Sequence, residues 1–557
     1  MAIQKRMLLL GSEAREYLLQ GIIRLSSAVK VTLGAEGRHV VIEDSKYDYP
    51  IITRDGVAVA ESISFGDNRL EQGAKMAKDA ARECWRDAGD GTTSTIIMTE
   101  SICKSVNDYL QKGKNPNALS KGIRQAARDA VESIDHIAVK VDKDSLFDVA
   151  VVSANNDEEM GRIVADIVWE VGENGSVIIK QGKEKTKVDV LQGSIFKGGY
   201  ISKEFANNDG SRSEYDPLIF VTDFSFSKAV DIASLLEAYI KRFPGQPVVL
   251  IGREFIGDAR SILVHAYKAS RIPVVAIEAP FDGEQMRDAL RDIATATGAT
   301  FLGEEKGYAI DNMMEGAYFG KCKRVEVYDN ESRFVGGHGD PKAIQIVVDG
   351  LMMDIAKCES SEEENMLKDR IAWLTGKVAI VNVGGDTPTE KISKMHRLDD
   401  SIRSSKAALD DGMVIGGGAA YLYAHVELTR ILSEGWNTPE DDNNSYWCGY
   451  EAMMEALMCP TLQILENAAV ENVESTLDEV YEMIAKGTLA TFNVMKQEME
   501  VSGQTHILDS AKVIKTAITK AASVGAVFAT TEVLNYDEYN YYANLKENAV
   551  PVSWQRQ

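Results

Sequence analysis

Two short apolar runs, "PVVLI" (Pro247 to Ile251) and "PVVAI" (Pro273 to Ile277), lie in the middle of this chain with "IGDARSILVHAYKA" between them. Buried parallel strands joined by a crossover helix require this pattern of β-branched runs and one amphipathic stretch. It commits roughly residues 190–378 to a compact α/β module. Both flanks carry a different period. Tyr17, Leu18, Ile22, Leu25 and Val29 recur at helical spacing, and helical stretches surround "AGDGTTST". "TLGAEGRHVVIED" breaks the first helix with two glycines, and "YPIITRDGVAVA" reads as its hairpin partner. After "VAIVNVGGD" the chain returns to helix, with a last long helix starting near Asp509 or Ser510. Helical ends around an α/β middle predict one domain built from both termini, with the middle inserted. There is no internal repeat.

Composition closes off several alternatives. At 557 residues the chain exceeds one ordinary core, so two to four domains are expected. Hydrophobic content of 45% is too high for a disordered acidic chain. A net charge of −24 argues against the basic surfaces that nucleic acid or an anionic membrane would need. Six scattered cysteines form no CxxC pair, which argues against zinc and disulfide frameworks and for a reducing compartment. "MLLL" is too short for a signal peptide and no run approaches a membrane span, so a cytoplasmic location is expected.

"RDAGDGTTSTII" (residues 86–97) places Asp90 between two glycines and follows it with Thr92, Thr93, Ser94 and Thr95. A glycine turn entering a helix offers backbone amides at the positive end of the helix dipole, and the hydroxyls add donors for phosphate oxygens. Asp90 would repel that phosphate unless a divalent ion sat between them, and magnesium suits one carboxylate plus phosphate oxygens. A plain helix cap explains the same residues. No Gly-Lys pair is followed by Ser or Thr, and no GxGxxG follows a strand, so a nucleotide site has to be assembled from separated pieces. "TLGAEGR", "IGGGAA" and "LDDSIRSS" are such pieces; each also reads as a turn, a packing contact or helix-terminal charge.

Together and in order, "AVKVTLGAEGRHVVIE", "ITRDGVAVA", "AGDGTTSTI", "VSANNDE", "DIATATGATFL", "AALDDGMVIGGGAAYL", "ILDSAKV" and "AASVGAVFATTE" resemble the group I chaperonins, the GroEL-type ring-forming ATPases. The resemblance runs from residue 10 to about 535. It implies a mainly α subunit with α/β parts and three domains. These are a helical equatorial domain (1–136 with 411–557), a small α/β intermediate domain (137–191 with 379–410) and an inserted α/β apical domain (192–378). It also implies ATP, Mg2+ and K+ as cofactors, rings of seven subunits, one or two rings per particle, and unfolded proteins as clients.

Carried over by position, Asp90 resembles the magnesium ligand, and Gly91, Thr92, Thr93 and Ser94 the phosphate contacts. Thr32, Leu33 and Gly34 match the first phosphate turn, Arg54 a basic residue beside it, and Gly417 the nucleotide-contacting glycine. Asp400 matches the acid that orients or deprotonates the attacking water, and Asp55 a second acid near the terminal phosphate. Asp509 matches the residue on the ribose, and Asn493 falls beside the adenine. For clients, Tyr200, Phe205, Leu235, Leu236 and Val264 preserve part of the family's apolar apical groove.

The departures are informative. Ala35 and Glu36 replace the usual proline and lysine, and Glu36 would add negative charge near the phosphates. Arg54 replaces lysine. Of two glycine hinges, Gly193 is kept while the other becomes Gly376-Lys377. An extra segment occupies about 435–446, and a tail with Tyr536, Tyr539, Tyr541 and Tyr542 replaces the family's Gly-Met repeat. In the groove, Glu204, Arg260 and His265 stand where apolar side chains are expected, and Ala233 is small. These changes argue for a narrower client range and against the standard lid co-chaperonin. The leading reading is an ATP-hydrolysing chaperonin; the alternatives are a nucleotide-gated holdase and a small-molecule phosphotransferase. Trp85 reads as packing, His338 as a turn residue, and His396 and His425 as having no partner cluster.

Overall fold

The computed structural model describes residues 6–43, 50–172, 176–182, 185–207, 210–269, 272–303, 318–355, 357–358, 361–385, 387–433 and 444–537. Tyr539, Tyr541 and Tyr542 and most of the extra segment near 435–446 lie outside the described residues. By internal contacts the chain forms two compact units, residues 1–169 with 383–557, and residues 170–382.

The first unit is helical because its sequence repeats apolar residues every three to four positions. Helix Gly11–Val29 buries Leu18, Ile22, Leu25 and Val29 in one stripe, while the Arg69 guanidinium covers the Tyr17 ring at 4.0 Å. Helices Asn68–Ala88, Thr92–Gln111 and Pro116–Ile137 follow it. Ala419–Ser433, Ser445–Ala456 and Ala511–Thr530 return from the C-terminal part into the same core, where Ile22, Ile102, Ile123, Tyr450, Ile518 and Phe528 are buried together. Local signals set the starts: Asn115 accepts from the amides of Asn117 and Ala118, with Pro116 pre-set in the first turn. Gly122 and Gly449 let two helices cross closely, since a Cβ on either would lie about 2 Å from a carbonyl oxygen of the other helix. Strand Arg6–Leu10 pairs antiparallel with Val533–Asp537, tying the two ends of the chain together. Val40–Ile42 pairs with Ile51–Thr53 as the expected hairpin.

One expectation is corrected here. Helix Ala511–Thr530 is long and apolar enough to cross a membrane, although no such run was anticipated. Its Ile514, Ile518, Ala521 and Phe528 are buried against the other helices, so packing in this helical core accounts for its composition.

The second unit carries the α/β module. Leu218–Val221, Val248–Gly252 and Val274–Glu278 are parallel neighbours, with helix Gly257–Lys268 making the crossover between the last two. Among the described residues the sheet continues antiparallel through Gly320–Val327, Ser332–Gly337, Lys187–Phe196 and Lys377–Val383. The Gly193 amide donates to the Gly376 carbonyl at 3.2 Å, so the two glycines of the expected hinges are neighbours.

The client-binding assignments need correction in this unit. Phe205, Leu235 and Leu236 are buried in its core and Tyr200 nearly so, while Val264 is half-buried against the same core. Helix Ala229–Arg242 buries Ile232, Leu235, Leu236 and Tyr239, an i, i+3, i+4, i+7 stripe that belongs to the sheet side. The apolar side chains left exposed nearby are Val230, Ile240 and Ile256. Arg260 and His265 are exposed, and Glu204 is paired with Lys268 at 2.7 Å.

Candidate active site

Helix Thr92–Gln111 begins without a side-chain cap. Gly91, at φ +80°, occupies the position before its first turn, and a Cβ there would lie 2.8 Å from Val513 Cγ1. Asp90 does not cap the helix. Its carboxylate accepts from the Gly91 amide at 2.6 Å and from Ser153 Oγ at 3.3 Å. Thr95 Oγ1 turns inward to the Gly91 carbonyl, leaving Thr92, Thr93 and Ser94 on the wall of a cavity of about 1290 Å³. An uncapped helix start with hydroxyls beside it retains its affinity for an anion.

Every residue assigned from sequence to nucleotide, metal or hydrolysis lines this one cavity: Thr32, Leu33, Gly34, Arg54, Asp55, Asp90, Gly91, Thr92, Thr93, Ser94, Asp400, Gly417, Asn493 and Asp509. They come from both ends of the chain. The first turn is held from outside, because Asn467 Nδ2 donates to the carbonyls of Lys30 and Leu33 at 2.9 and 2.8 Å. Gly417, at φ +67°, passes so close to strand Ala490–Asn493 that a Cβ would lie 2.6 Å from Thr491 Oγ1.

Four of the assigned residues are carboxylates, and Asp144, Asp148, Glu158, Asp166 and Glu500 also line the cavity. Asp55 caps helix Gly56–Ser62, accepting from the amides of Val57 and Ala58. Asp400 projects from helix Pro388–Asp411, which Ser401 Oγ fastens to the Ala150 carbonyl at 2.8 Å. Asp509 lies on strand Leu508–Ser510, paired with Met413–Ile415. Burial raises the carboxyl of Asp90, with repulsion from Asp55 adding to it. Asp400 is pushed well above the usual carboxylate range by burial first, then by Asp55, Asp90 and Asp399. Asp509 is pushed up to about 7 by burial and by Asp90.

Acids gathered beside an uncapped helix start fit a divalent cation bridging to phosphate. Among the described residues no three side chains form a cage that could hold a metal alone. Magnesium needs no such cage, since it binds through one or two carboxylates plus phosphate oxygens and water. Asp90, beside the helix start, is a carboxylate that could hold such an ion.

Two assignments change in detail. The Asn493 side chain is engaged by its own hairpin: Oδ1 accepts from the amides of Met495 and Lys496, and Nδ2 gives one of its two hydrogens to Glu500, leaving one further N–H. Glu36 is exposed and does not line the cavity, whereas Ala35 does.

Several lining residues carried no assignment. Ser153, inside the quoted "VSANNDE", donates to Asp90. His396 Nδ1 approaches Asp55 Oδ2 at 4.0 Å. His39 also lines the cavity; burial, then Arg54 and Arg397, lower its pKa. Trp85 donates to Asp400 at 3.4 Å. Ser153 and His39 had a sequence signal, their positions in matching segments, whereas Trp85 and His396 lie outside them.

Known proteins share this fold. The chaperonin gp146 from the bacteriophage EL 2 (Pseudomonas aeruginosa), solved in two crystal forms in the presence of ATP-BeFx, has a similar fold. Both forms give a TM-score of 0.69 at 22% sequence identity, covering 96% of this chain and 99–100% of that one. The sequence also matches the TCP-1/cpn60 chaperonin family over residues 25–234 and 245–534. The chain therefore belongs to the TCP-1/cpn60 chaperonin family.

Proposed function

We propose that this chaperonin chain binds and hydrolyses Mg-ATP in the cavity around Asp90 and uses the cycle to assist refolding of client proteins within an oligomeric ring. The observation that carries the reading is the meeting of Asp400 with the uncapped start of helix Thr92–Gln111 in one cavity.

Phosphoryl transfer to water asks for charge neutralisation and a positioned nucleophile more than for covalent help. Magnesium, when bound, neutralises charge on the phosphates. The amides and hydroxyls of Gly91 to Ser94 hold the phosphate oxygens, and the turn at Thr32 to Gly34 closes over them. Asp90 anchors the ion, and Asp400 orients and deprotonates water. A carboxylate whose proton affinity is raised by burial is a stronger base than a solvated one.

In the three-domain reading, Asp400 belongs to an intermediate domain, so its approach to the phosphate times hydrolysis to domain closure. Rings of seven, single or double, enclose the client. A cytoplasmic setting agrees with six cysteines that form no disulfide. Val230, Ile240 and Ile256 are exposed apolar side chains of the apical unit, which also carries the charged Glu204–Lys268 pair. That combination favours a narrow client range and a lid unlike the standard one. It also keeps a second reading in play, a nucleotide-gated holdase.

Native mass and client recovery test the proposal together. A particle of seven or fourteen subunits that raises the yield of an unfolded client only with Mg-ATP is expected. A monomer with and without nucleotide contradicts the ring mechanism. A ring that prevents aggregation without raising yield replaces it with the holdase.

A further inference from the structure

Trp85 stands in the last turn of helix Asn68–Ala88, just before the Asp90 turn. Two contacts fix its indole against helix Pro388–Asp411. The Arg403 guanidinium lies 4.4 Å from the ring centroid, and Arg403 is itself paired with Asp399 at 2.8 Å. Indole Nε1 donates to Asp400 Oδ1 at 3.4 Å. Gly89, at φ +80°, clears the space, since a Cβ there would lie 2.0 Å from Arg403 Cβ.

An indole has one N–H and no acceptor, so it can engage one carboxylate oxygen and nothing else. Among the described residues this is the one side-chain hydrogen bond Asp400 receives. The cation stacked on the ring holds the indole plane, and with it the direction of the N–H. Arg403 thus braces both neighbours of the site: Asp399 by an ion pair, and Asp400 through the indole. Hydrogen bonds at catalytic groups are commonly long before substrate binds, and 3.4 Å is such a length.

We propose that Trp85 is a positioning residue for ATP hydrolysis: its N–H holds Oδ1 of Asp400 so that Oδ2 is presented to the attacking water. The inference rests on Asp400 being the base of the proposed reaction. In that step the water oxygen bonds to the terminal phosphorus and the bond to the bridging oxygen of the departing diphosphate breaks. The water proton passes to Asp400 Oδ2. Trp85 touches neither substrate nor water and acts through the orientation of Asp400.

Trp85→Phe keeps a ring for Arg403 and removes the N–H. Losing one hydrogen bond to a charged group predicts a fall in kcat of about 10-fold, with the nucleotide Kd unchanged. In an Asp400→Asn background the same substitution is expected to cause no further fall. A ring surface that only packed would move stability and affinity, and its effect would add to that of Asp400→Asn. Replacing Trp85 with benzothienylalanine, which has sulfur in place of the N–H, carries the same expectation in the native shape and decides the matter if the Phe variant assembles poorly. Wild-type kcat in these variants, or an effect additive with Asp400→Asn, overturns the positioning role and leaves the ATPase reading standing. Absence of turnover in the unmodified protein overturns both.

Discussion

Gly417→Ala separates backbone strain from crowding at the cavity wall. Gly417 sits at φ +67°, where an alanine costs about 1 kcal/mol relative to glycine. Its new Cβ would lie 2.6 Å from Thr491 Oγ1, which has to retreat by about 0.8 Å to reach an ordinary 3.4 Å contact. Thr491 is not free to do so, because the same oxygen donates to the Gly416 carbonyl at 3.0 Å inside a buried wall. Breaking that bond costs about 1 kcal/mol more, giving about 2 kcal/mol in all. Gly487→Ala is the matching control: φ is +87°, and no atom lies within 4 Å of its added Cβ, so only the first cost of about 1 kcal/mol applies. Denaturant unfolding of both variants measures the difference, and titration with a fluorescent ATP analogue reads the wall directly. Gly417→Ala is expected to unfold earlier than Gly487→Ala and to bind nucleotide about 5-fold more weakly, the equivalent of about 1 kcal/mol. Equal unfolding midpoints and unchanged nucleotide affinity would refute the contact reasoning.

Two further outcomes follow from the geometry. Asp90→Asn removes the proposed magnesium anchor, so nucleotide affinity measured with Mg2+ and with EDTA should converge, whereas in the unmodified protein Mg2+ tightens binding. His425 is buried with Nδ1 on the Met454 carbonyl at 2.8 Å, and burial lowers its pKa below the usual 6.5. The unfolded chain therefore takes up a proton near pH 6.5 that the folded protein refuses. The contribution is present above that pH and is lost as pH falls below it, with a slope of at most about 1.4 kcal/mol per pH unit. Unfolding midpoints between pH 7.5 and 5 should fall less in His425→Asn than in the unmodified protein.

Much of this architecture was legible from residue patterns. The β-branched runs at 247–251 and 273–277 matched buried strands by length and composition, and the recurrence of Leu18, Ile22, Leu25 and Val29 matched a helix. The cavity was legible through the family resemblance: taken singly, its glycine turns and acids also read as a helix cap, a hairpin turn and a packing contact. Side-chain direction was harder. Leu235 and Leu236 look available for a groove, yet with Ile232 and Tyr239 they complete a helical stripe, and the sheet claims that stripe before any client can. Asn493 lines the cavity wall, but the turn after it takes its Oδ1. Trp85 was the least visible. An aromatic at a helix end packs by default, and what distinguishes this one is Asp400, 315 positions away.

Single-turnover hydrolysis of Mg-ATP by the unmodified protein and by Asp400→Asn, with nucleotide affinity measured on the same samples, tests the central claim most directly. A retained Kd and a fall in rate of about 100-fold or more is the result expected if Asp400 activates the water. An Asp400→Asn variant that turns over ATP at the unmodified rate would place the chemistry elsewhere.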